Sequence, residues 1–209
     1  MPDDPLKSSA IVYNSIALTY ARQIEEYAPV PERDEFISVL PSQGKILDVG
    51  CAAGRDSGYF SSKGFSVVGV DLSGKLLEIA RKKFPHIDFF KQDFRSHDFP
   101  KESFNGIWAC ASLLHLKRTE IPAVLRQFFA LLKPKGILYI QVKEGKGEKD
   151  VVDILSSGQS RHFTFFEIGE LKQFLEEAGF RVEKIYVFNE KERTRGHRDL
   201  LWISSFSKK

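Results

Sequence analysis

Five short apolar runs punctuate the first two thirds of the chain, at residues 45–49, 65–70, 87–90, 104–108 and 136–142, each rich in Val, Ile, Leu or Phe. Such runs favour extended backbone. The segments between them place apolar residues every three to four positions, the spacing of a helix with one buried face. Strands alternating with helices specify a parallel sheet covered on both faces. Two helices are sharply delimited. One spans 74–84 and is stopped by Pro85; the other spans 121–132, with Pro122 suited to a first turn and Lys133-Pro134-Lys135-Gly136 closing it. The crossovers are expected to be right-handed.

After residue 142 the pattern changes. A charged, glycine-containing stretch at 143–150 leads into the polar run 156–161, which reads as a long surface loop of the kind that often carries function. Thr164 and Glu167 have the spacing of a capping box for an amphipathic helix ending at Ala178-Gly179, where Gly179 supplies the left-handed terminus. Two further strands, near 181–188 and 199–206, flank a short basic segment and are expected to pair antiparallel.

With 209 residues the chain reads as one domain. Its 42% hydrophobic and 28% charged residues are the mixture of a globular protein. A net charge of +3 sets up no field that demands nucleic acid or an anionic membrane. Cys51 and Cys110 sit apart in small or apolar surroundings and read as reduced thiols, not as a disulfide framework. No run approaches the length of a membrane span, and the N-terminus lacks the features of a signal peptide, so a cytoplasmic protein without a membrane partner is expected.

The chemistry is concentrated in Ile46-Leu47-Asp48-Val49-Gly50-Cys51-Ala52-Ala53-Gly54-Arg55-Asp56, an apolar strand that runs through small residues into a helix. Small residues let backbone approach a ligand, and a parallel sheet leaves a crevice at the carboxyl ends of its strands. Asp71 ends the next strand, 17 residues after Gly54, where an acid can accept ribose hydroxyls. The glycine spacing of a dinucleotide fingerprint is incomplete, which weighs against NAD.

With Asp48, Gly50, Ala52 and Gly54, then Val67-Val68-Gly69-Val70-Asp71-Leu72-Ser73, Gln92-Asp93-Phe94, the 104–115 strand and loop, and Leu132-Lys133-Pro134-Lys135-Gly136-Ile137-Leu138, the chain resembles the class I S-adenosylmethionine-dependent methyltransferases, in particular their small stand-alone members. Ala52 stands where the family has its middle glycine. The resemblance implies an α/β, Rossmann-like, seven-stranded and mostly parallel sheet of order 3-2-1-4-5-7-6, with strand 7 antiparallel and helices on both faces. It divides the single domain into an N-terminal helical segment at 1–35 able to fold over the cofactor, a cofactor-binding core at 36–145, and a substrate-side loop, helix and hairpin at 146–209.

By the same resemblance S-adenosylmethionine is the cofactor and S-adenosylhomocysteine the product, with no metal. Asp48 organises the methionine end, the turn Gly50, Ala52 and Gly54 passes beneath it, Asp71 holds the ribose, and Leu72, Asp93 and Phe94 flank the adenine. Ala109 is expected to face the sulfonium. Arg55 either touches the cofactor carboxylate or pairs locally with Asp56. Methyl transfer then needs alignment and exclusion of water, and His115, just beyond the fourth strand, is the candidate general base.

Tyr13 and Tyr20 in the N-terminal segment, and Arg161 and Phe163 in the later loop, are candidate substrate-side residues, with packing as the alternative role of the tyrosines. Cys110 lacks a preceding proline, and the loop lacks the Asp/Asn-Pro-Pro-aromatic pattern, so ring-carbon and planar-amino acceptors are disfavoured. The favoured acceptor is an oxygen or nitrogen nucleophile of a small molecule. The alternatives are a tRNA or protein acceptor, met by Arg161 and by Arg193 and Arg195 in the basic run 191–198, and a regulatory protein that binds S-adenosylmethionine without transferring methyl.

Overall fold

A computed structural model describes residues 4–192 and 199–209. The basic run expected to form a contact surface falls largely outside them, with Arg193 and Arg195. Nine strands are described: β1 (Lys45–Val49), β2 (Ser66–Asp71), β3 (Asp88–Lys91), β4 (Phe104–Cys110), β5 (Leu132–Lys143), β6 (Glu148–Val152), β7 (Ser160–Thr164), β8 (Arg181–Asn189) and β9 (Leu201–Lys208). The α-helices are α1 (Pro5–Ser15), α2 (Ala17–Gln23), α3 (Val30–Ser38), α4 (Arg55–Ser62), α5 (Gly74–Lys83), α6 (Ile121–Leu131) and α7 (Ile168–Glu177). Helix α3 runs across the boundary expected at residue 35.

The main sheet has the order β3-β2-β1-β4-β5-β9-β8. Strands β1 to β5 are parallel, and β9 runs antiparallel between β5 and β8. Numbering only these seven gives 3-2-1-4-5-7-6, as the resemblance implied. Alternation along each strand builds two layers. Leu47, Val49, Val68 and Ile107 join Val124, Leu125 and Phe128 of α6 and Leu171 and Leu175 of α7 on one face. Ile46, Val67 and Trp108 join Phe36 of α3 and Phe60 of α4 on the other. Each fully buried Leu, Ile or Phe contributes roughly 1.5–3 kcal/mol. Trp108 stacks on Tyr139 at 3.9 Å and anchors the second layer.

Three local expectations are corrected. The run 156–161 is not a long loop: it makes a short exposed turn at 157–158 and enters β7, which pairs antiparallel with β6 as a separate two-stranded sheet, with Arg161 opposite Val151. The capping box does not form. Helix α7 starts after Glu167 without a side-chain cap, because Thr164 stays in β7 and donates its hydroxyl to the Leu116 carbonyl at 2.5 Å. Strand β5 begins before Gly136, at Leu132, and pairs there with Phe104. Gly179 does end α7 in the expected way, with φ of 100°.

Helices α1 and α2 lie over the carboxyl end of the sheet. Ile16, Ala17 and Tyr20 pack with Ala53, Leu76 and Leu155 in a small separate cluster. Asp4 caps α1 and is also held by Arg95, which bridges Asp4, Asp93 and Glu120 at 2.6–2.8 Å. Among the described residues no helix is long and apolar enough to cross a membrane.

Candidate functional site

Two adjoining cavities, of about 90 and 70 Å³, lie where β1, β2 and β4 end beneath α1 and α2, and they share Tyr13, Gly50, Ala52 and His115 in their walls. The smaller cavity is lined by Asp71, Leu72 and Phe94. Asp71 ends β2 and accepts the backbone N–H of Ala52 at 2.9 Å and that of Ser73 at 2.7 Å. These bonds, with the Leu72 N–H close by, fix the carboxylate on the cavity wall and leave acceptor positions for other donors. Burial pushes its pKa up against the pull of the backbone bonds.

The turn after β1 has the close-approach geometry that its small residues suggested. Gly50 has φ of 70°, and a Cβ there would lie 2.7 Å from that of Ser112. Ala52 itself adopts φ of 49°. That left-handed backbone lets its N–H meet Asp71, so the substitution of alanine for glycine is absorbed with some strain rather than by a different turn. Two hydroxyls on the wall of the smaller cavity, Ser9 Oγ and Ser112 Oγ, are buried without a hydrogen-bond partner among the described residues. Orphaned polar atoms at a cavity wall are unfavourable unless a ligand or water completes them.

The larger cavity is lined by Asp48, Arg55, His115, Lys143, Arg161 and Phe163, among others. His115, in the 3-10 turn Leu113–His115, is 4% exposed. Its Nδ1 is 2.8 Å from the His162 carbonyl, which only accepts, so the proton sits on Nδ1. Nε2 then accepts from the Tyr13 hydroxyl at 2.9 Å, and Arg161 donates to that same hydroxyl at 2.6 Å. Burial, reinforced by the charges of Arg161, Lys143 and His162 and opposed by the His162 carbonyl bond, pulls the His115 pKa down to about 3. The imidazole is neutral throughout the ordinary pH range.

Under this cavity lies a buried charge network. Asp56 accepts from Arg55 Nε and Nη2 at 2.9 and 2.7 Å, from Arg33 at 3.3 Å and from the Trp108 indole at 3.0 Å. Burial works against the ionised form, but the two guanidinium groups and the indole bond hold the Asp56 pKa below its usual value. Among the described residues Asp48 accepts one such bond, from the Ser57 hydroxyl at 2.5 Å. Burial and the nearby Asp56 carboxylate raise its pKa to about 7, against the lowering effect of Ser57 and Arg55. Arg55 also donates to the Ile24 carbonyl at 2.8 Å and ties the N-terminal segment to the network.

Asp48, Gly50, Ala52, Arg55, Asp71, Leu72, Phe94, Tyr13, Tyr20, His115, Arg161 and Phe163 are therefore gathered around one crevice. Three expected residues are not. Ala109 alternates with Trp108 onto the inner face of β4 and is fully buried beside Ile107, so Cys110 and Ala111 take the wall instead. Asp93 turns to Arg95 at 2.6–3.1 Å. Gly54 caps α4 with φ of 79° and faces Phe89 and Ala80. Arg55 pairs locally with Asp56, and Arg161, 3% exposed, is not on a surface open to a macromolecule.

The sequence reading passed over Ser9, Ser112, Lys143, Asp153, Glu190 and Trp202. Lys143 left a trace, because Gln141 and Lys143 are polar residues two apart at the end of a central apolar strand, hence on one face of it.

A sequence profile of the methyltransferase domain family matches residues 20–185. The Bacillus subtilis (strain 168) protein YqeM, whose name assigns it to the methyltransferases, is 31% identical over 138 residues, 63% of this chain and 56% of that protein. Phosphoethanolamine N-methyltransferase 1 of Arabidopsis thaliana is 27% identical over 187 residues, 83% of this chain and 38% of the relative. The chain thus spans less than two thirds of the length of these relatives. The ubiquinone biosynthesis O-methyltransferase of Xanthomonas axonopodis pv. citri (strain 306) is 26% identical over 171 residues, 74% of this chain and 71% of that enzyme. Among solved structures, the Burkholderia thailandensis 1,6-didemethyltoxoflavin-N1-methyltransferase, crystallised with bound 1,6-didemethyltoxoflavin and S-adenosylhomocysteine, superposes with a TM-score of 0.76 at 21% identity, covering 100% of this chain and 92% of that one.

Proposed function

The chain belongs to the methyltransferase domain family, and from that membership we propose that it transfers methyl from S-adenosylmethionine to an oxygen or nitrogen nucleophile of a small molecule. The observation that carries this reading is the single crevice running from Asp71 past Gly50 and Ala52 to His115. Its residues fit the donor. Asp71 keeps free acceptor positions for ribose hydroxyls, Leu72 and Phe94 give an apolar slot for a base, and the orphaned hydroxyls of Ser9 and Ser112 meet a polar ligand. Asp48 lines the adjoining cavity and is the acidic group offered to the amino end of the methionine, while Arg55 stays paired with Asp56. When bound, the donor supplies a sulfonium-activated methyl group open to in-line displacement.

The protein then has three tasks. It orients the donor through Asp71 and the Gly50–Ala52 backbone, it excludes water, and it accepts a proton where the nucleophile carries one. His115 Nε2 is the acceptor atom, because Nδ1 is fixed as a donor to the His162 carbonyl. Tyr13, hydrogen-bonded to Nε2, gives way to the acceptor. Helices α1 and α2 act as a lid: the two cavities fall well below the roughly 300–1,000 Å³ usual for small-molecule sites, so a nucleoside-sized ligand requires that segment to shift. Relatives named for N-methyl and O-methyl transfer leave both acceptor atoms open.

Incubation with S-adenosylmethionine and a panel of phenols, alcohols, amines and acids is expected to release S-adenosylhomocysteine in step with one methylated acceptor. Donor binding without product across the panel would favour a regulatory role instead. Asp71→Ala removes charged hydrogen bonds to the ribose and leaves the Ala52 and Ser73 N–H groups unpaired. A loss of about 1.5–3 kcal/mol, roughly ten- to hundredfold in affinity, is expected by calorimetry. Unchanged affinity would remove Asp71 from the site.

Donor affinity is also expected to depend on pH through Asp48. In the free protein its pKa is raised to about 7, so its contribution to folding is present at acid pH and is lost as pH rises from about 4 through 7. A bound cation favours the carboxylate, so binding releases a proton and tightens with pH. Affinity for S-adenosylmethionine should rise by up to about tenfold between pH 6 and 8, and Asp48→Asn should flatten that rise. A wild-type profile without slope would contradict this role.

A further inference from the structure

Beyond His115, the wall of the larger cavity buries two long cations. Lys143 is 5% exposed and Arg161 3%. Both lean on the same carboxylate: Arg161 Nη2 donates to Asp153 at 2.5 Å, and Lys143 Nζ stands 3.7 Å from its other oxygen. The second acid on this wall, Glu190, accepts the Trp202 indole N–H at 2.9 Å. Arg161 spends Nη1 on Tyr13, and its Nε–H is left buried with no hydrogen-bond partner among the described residues.

Aromatic rings fix both cations in place. The Arg161 guanidinium carbon lies 4.9 Å from the Tyr13 ring centre and 5.3 Å from that of Phe163, and Lys143 Nζ sits 3.7 Å from the Phe163 ring centre. Rings at those distances hold the charges without offering them an in-plane acceptor. The guanidinium charge is met by Asp153, but a buried N–H without an acceptor is unfavourable, and a guanidinium N–H on a cavity wall is a common grip for a ligand oxyanion. The field at His115 has the matching sign, since Arg161, Lys143 and His162 all disfavour a proton there.

We infer that the methyl acceptor carries a compact oxyanion, a carboxylate or a phosphate, which Arg161 Nε holds, with the charge of Lys143 beside it, while the nucleophilic atom faces His115. This rests on the methyl-transfer reading above and adds to it the charge class of the substrate and the residues that select it. Arg161 is the primary specificity residue, because its orphaned donor has no other role in the fold.

The test is calorimetric titration of the protein saturated with S-adenosylhomocysteine, using inorganic phosphate, acetate and, as the neutral isostere, acetamide. One-site binding of phosphate or acetate is expected at least tenfold tighter than any binding of acetamide. Phosphate alone would assign a phosphomonoester and acetate alone a carboxylic acid. Arg161→Gln is expected to weaken the anion at least tenfold while still binding S-adenosylhomocysteine. Lys143→Gln serves the same purpose if the first variant fails to fold. Absence of binding by both anions, or binding undiminished in the folded variant, would overturn the inference while leaving the donor site intact. Failure of S-adenosylhomocysteine itself to bind wild-type protein would instead overturn the methyl-transfer reading, and this inference with it.

Discussion

Replacing His115 with asparagine is expected to lower kcat by about 10²–10⁴-fold, the range for loss of a positioned proton acceptor, with little change in affinity for the donor. The reasoning is geometric. Nδ1 is locked onto the His162 carbonyl, so Nε2 alone is basic, and it faces the shared part of the crevice. With a pKa of about 3 in the ligand-free protein, the imidazole is a weak base. An anionic acceptor group beside Arg161 and Lys143 would offset two of the charges that hold it down, so the base would strengthen when substrate is in place. Asparagine fills similar space and keeps a donor toward His162 while removing the basic nitrogen. Single-turnover measurement of methyl transfer separates this effect from binding; a wild-type rate would make His115 a packing residue only. Tyr13→Phe, which removes the hydroxyl shared by His115 and Arg161, should have a smaller effect on the same assay.

Asp56→Ala should destabilise the fold by about 3–5 kcal/mol, because removing one member of a buried ionic network leaves the others uncompensated. Arg33, Arg55 and the Trp108 indole all converge on this carboxylate, and both ion pairs are largely shielded from water. For a domain of this length the loss corresponds to a fall of roughly 6–20 °C in Tm. Asp56→Asn retains part of the hydrogen bonding and is expected to lose less. Chemical denaturation of both variants checks the order, and a loss below about 1 kcal/mol for alanine would show that the network contributes little. Because Arg55 also holds the Ile24 carbonyl, the alanine variant should loosen the N-terminal segment over the crevice as well.

Much of this architecture was legible from the chain alone. Apolar runs separated by amphipathic helices give the parallel sheet, the family resemblance gives its strand order, and the position of Asp71 at a strand end beside a small-residue turn gives the crevice. The β6–β7 pair was not legible, because β6 is short, charged and mostly exposed, and its alternation carries little apolar signal. Thr164 and Glu167 satisfy the local rule for a capping box, yet strand pairing and the Leu116 carbonyl hold Thr164 elsewhere, a tertiary contact that no local spacing encodes. Ala109 was misassigned for a simpler reason. Alternation fixes which face of β4 a residue joins, but not where the strand meets the cavity, and that point falls at Cys110. The acceptor wall depended on contacts across long separations, such as Arg161 with Tyr13, and only the polar pair Gln141 and Lys143 hinted at it.

The central claim is that the crevice at the ends of β1, β2 and β4 is an S-adenosylmethionine site. Diffraction from crystals grown with millimolar S-adenosylhomocysteine tests it most directly. Density is expected with both sugar hydroxyls on the Asp71 carboxylate, the base between Leu72 and Phe94, and the sulfur directed toward His115. A fully occupied ligand elsewhere on the molecule, or a crevice holding only solvent under those conditions, would contradict it.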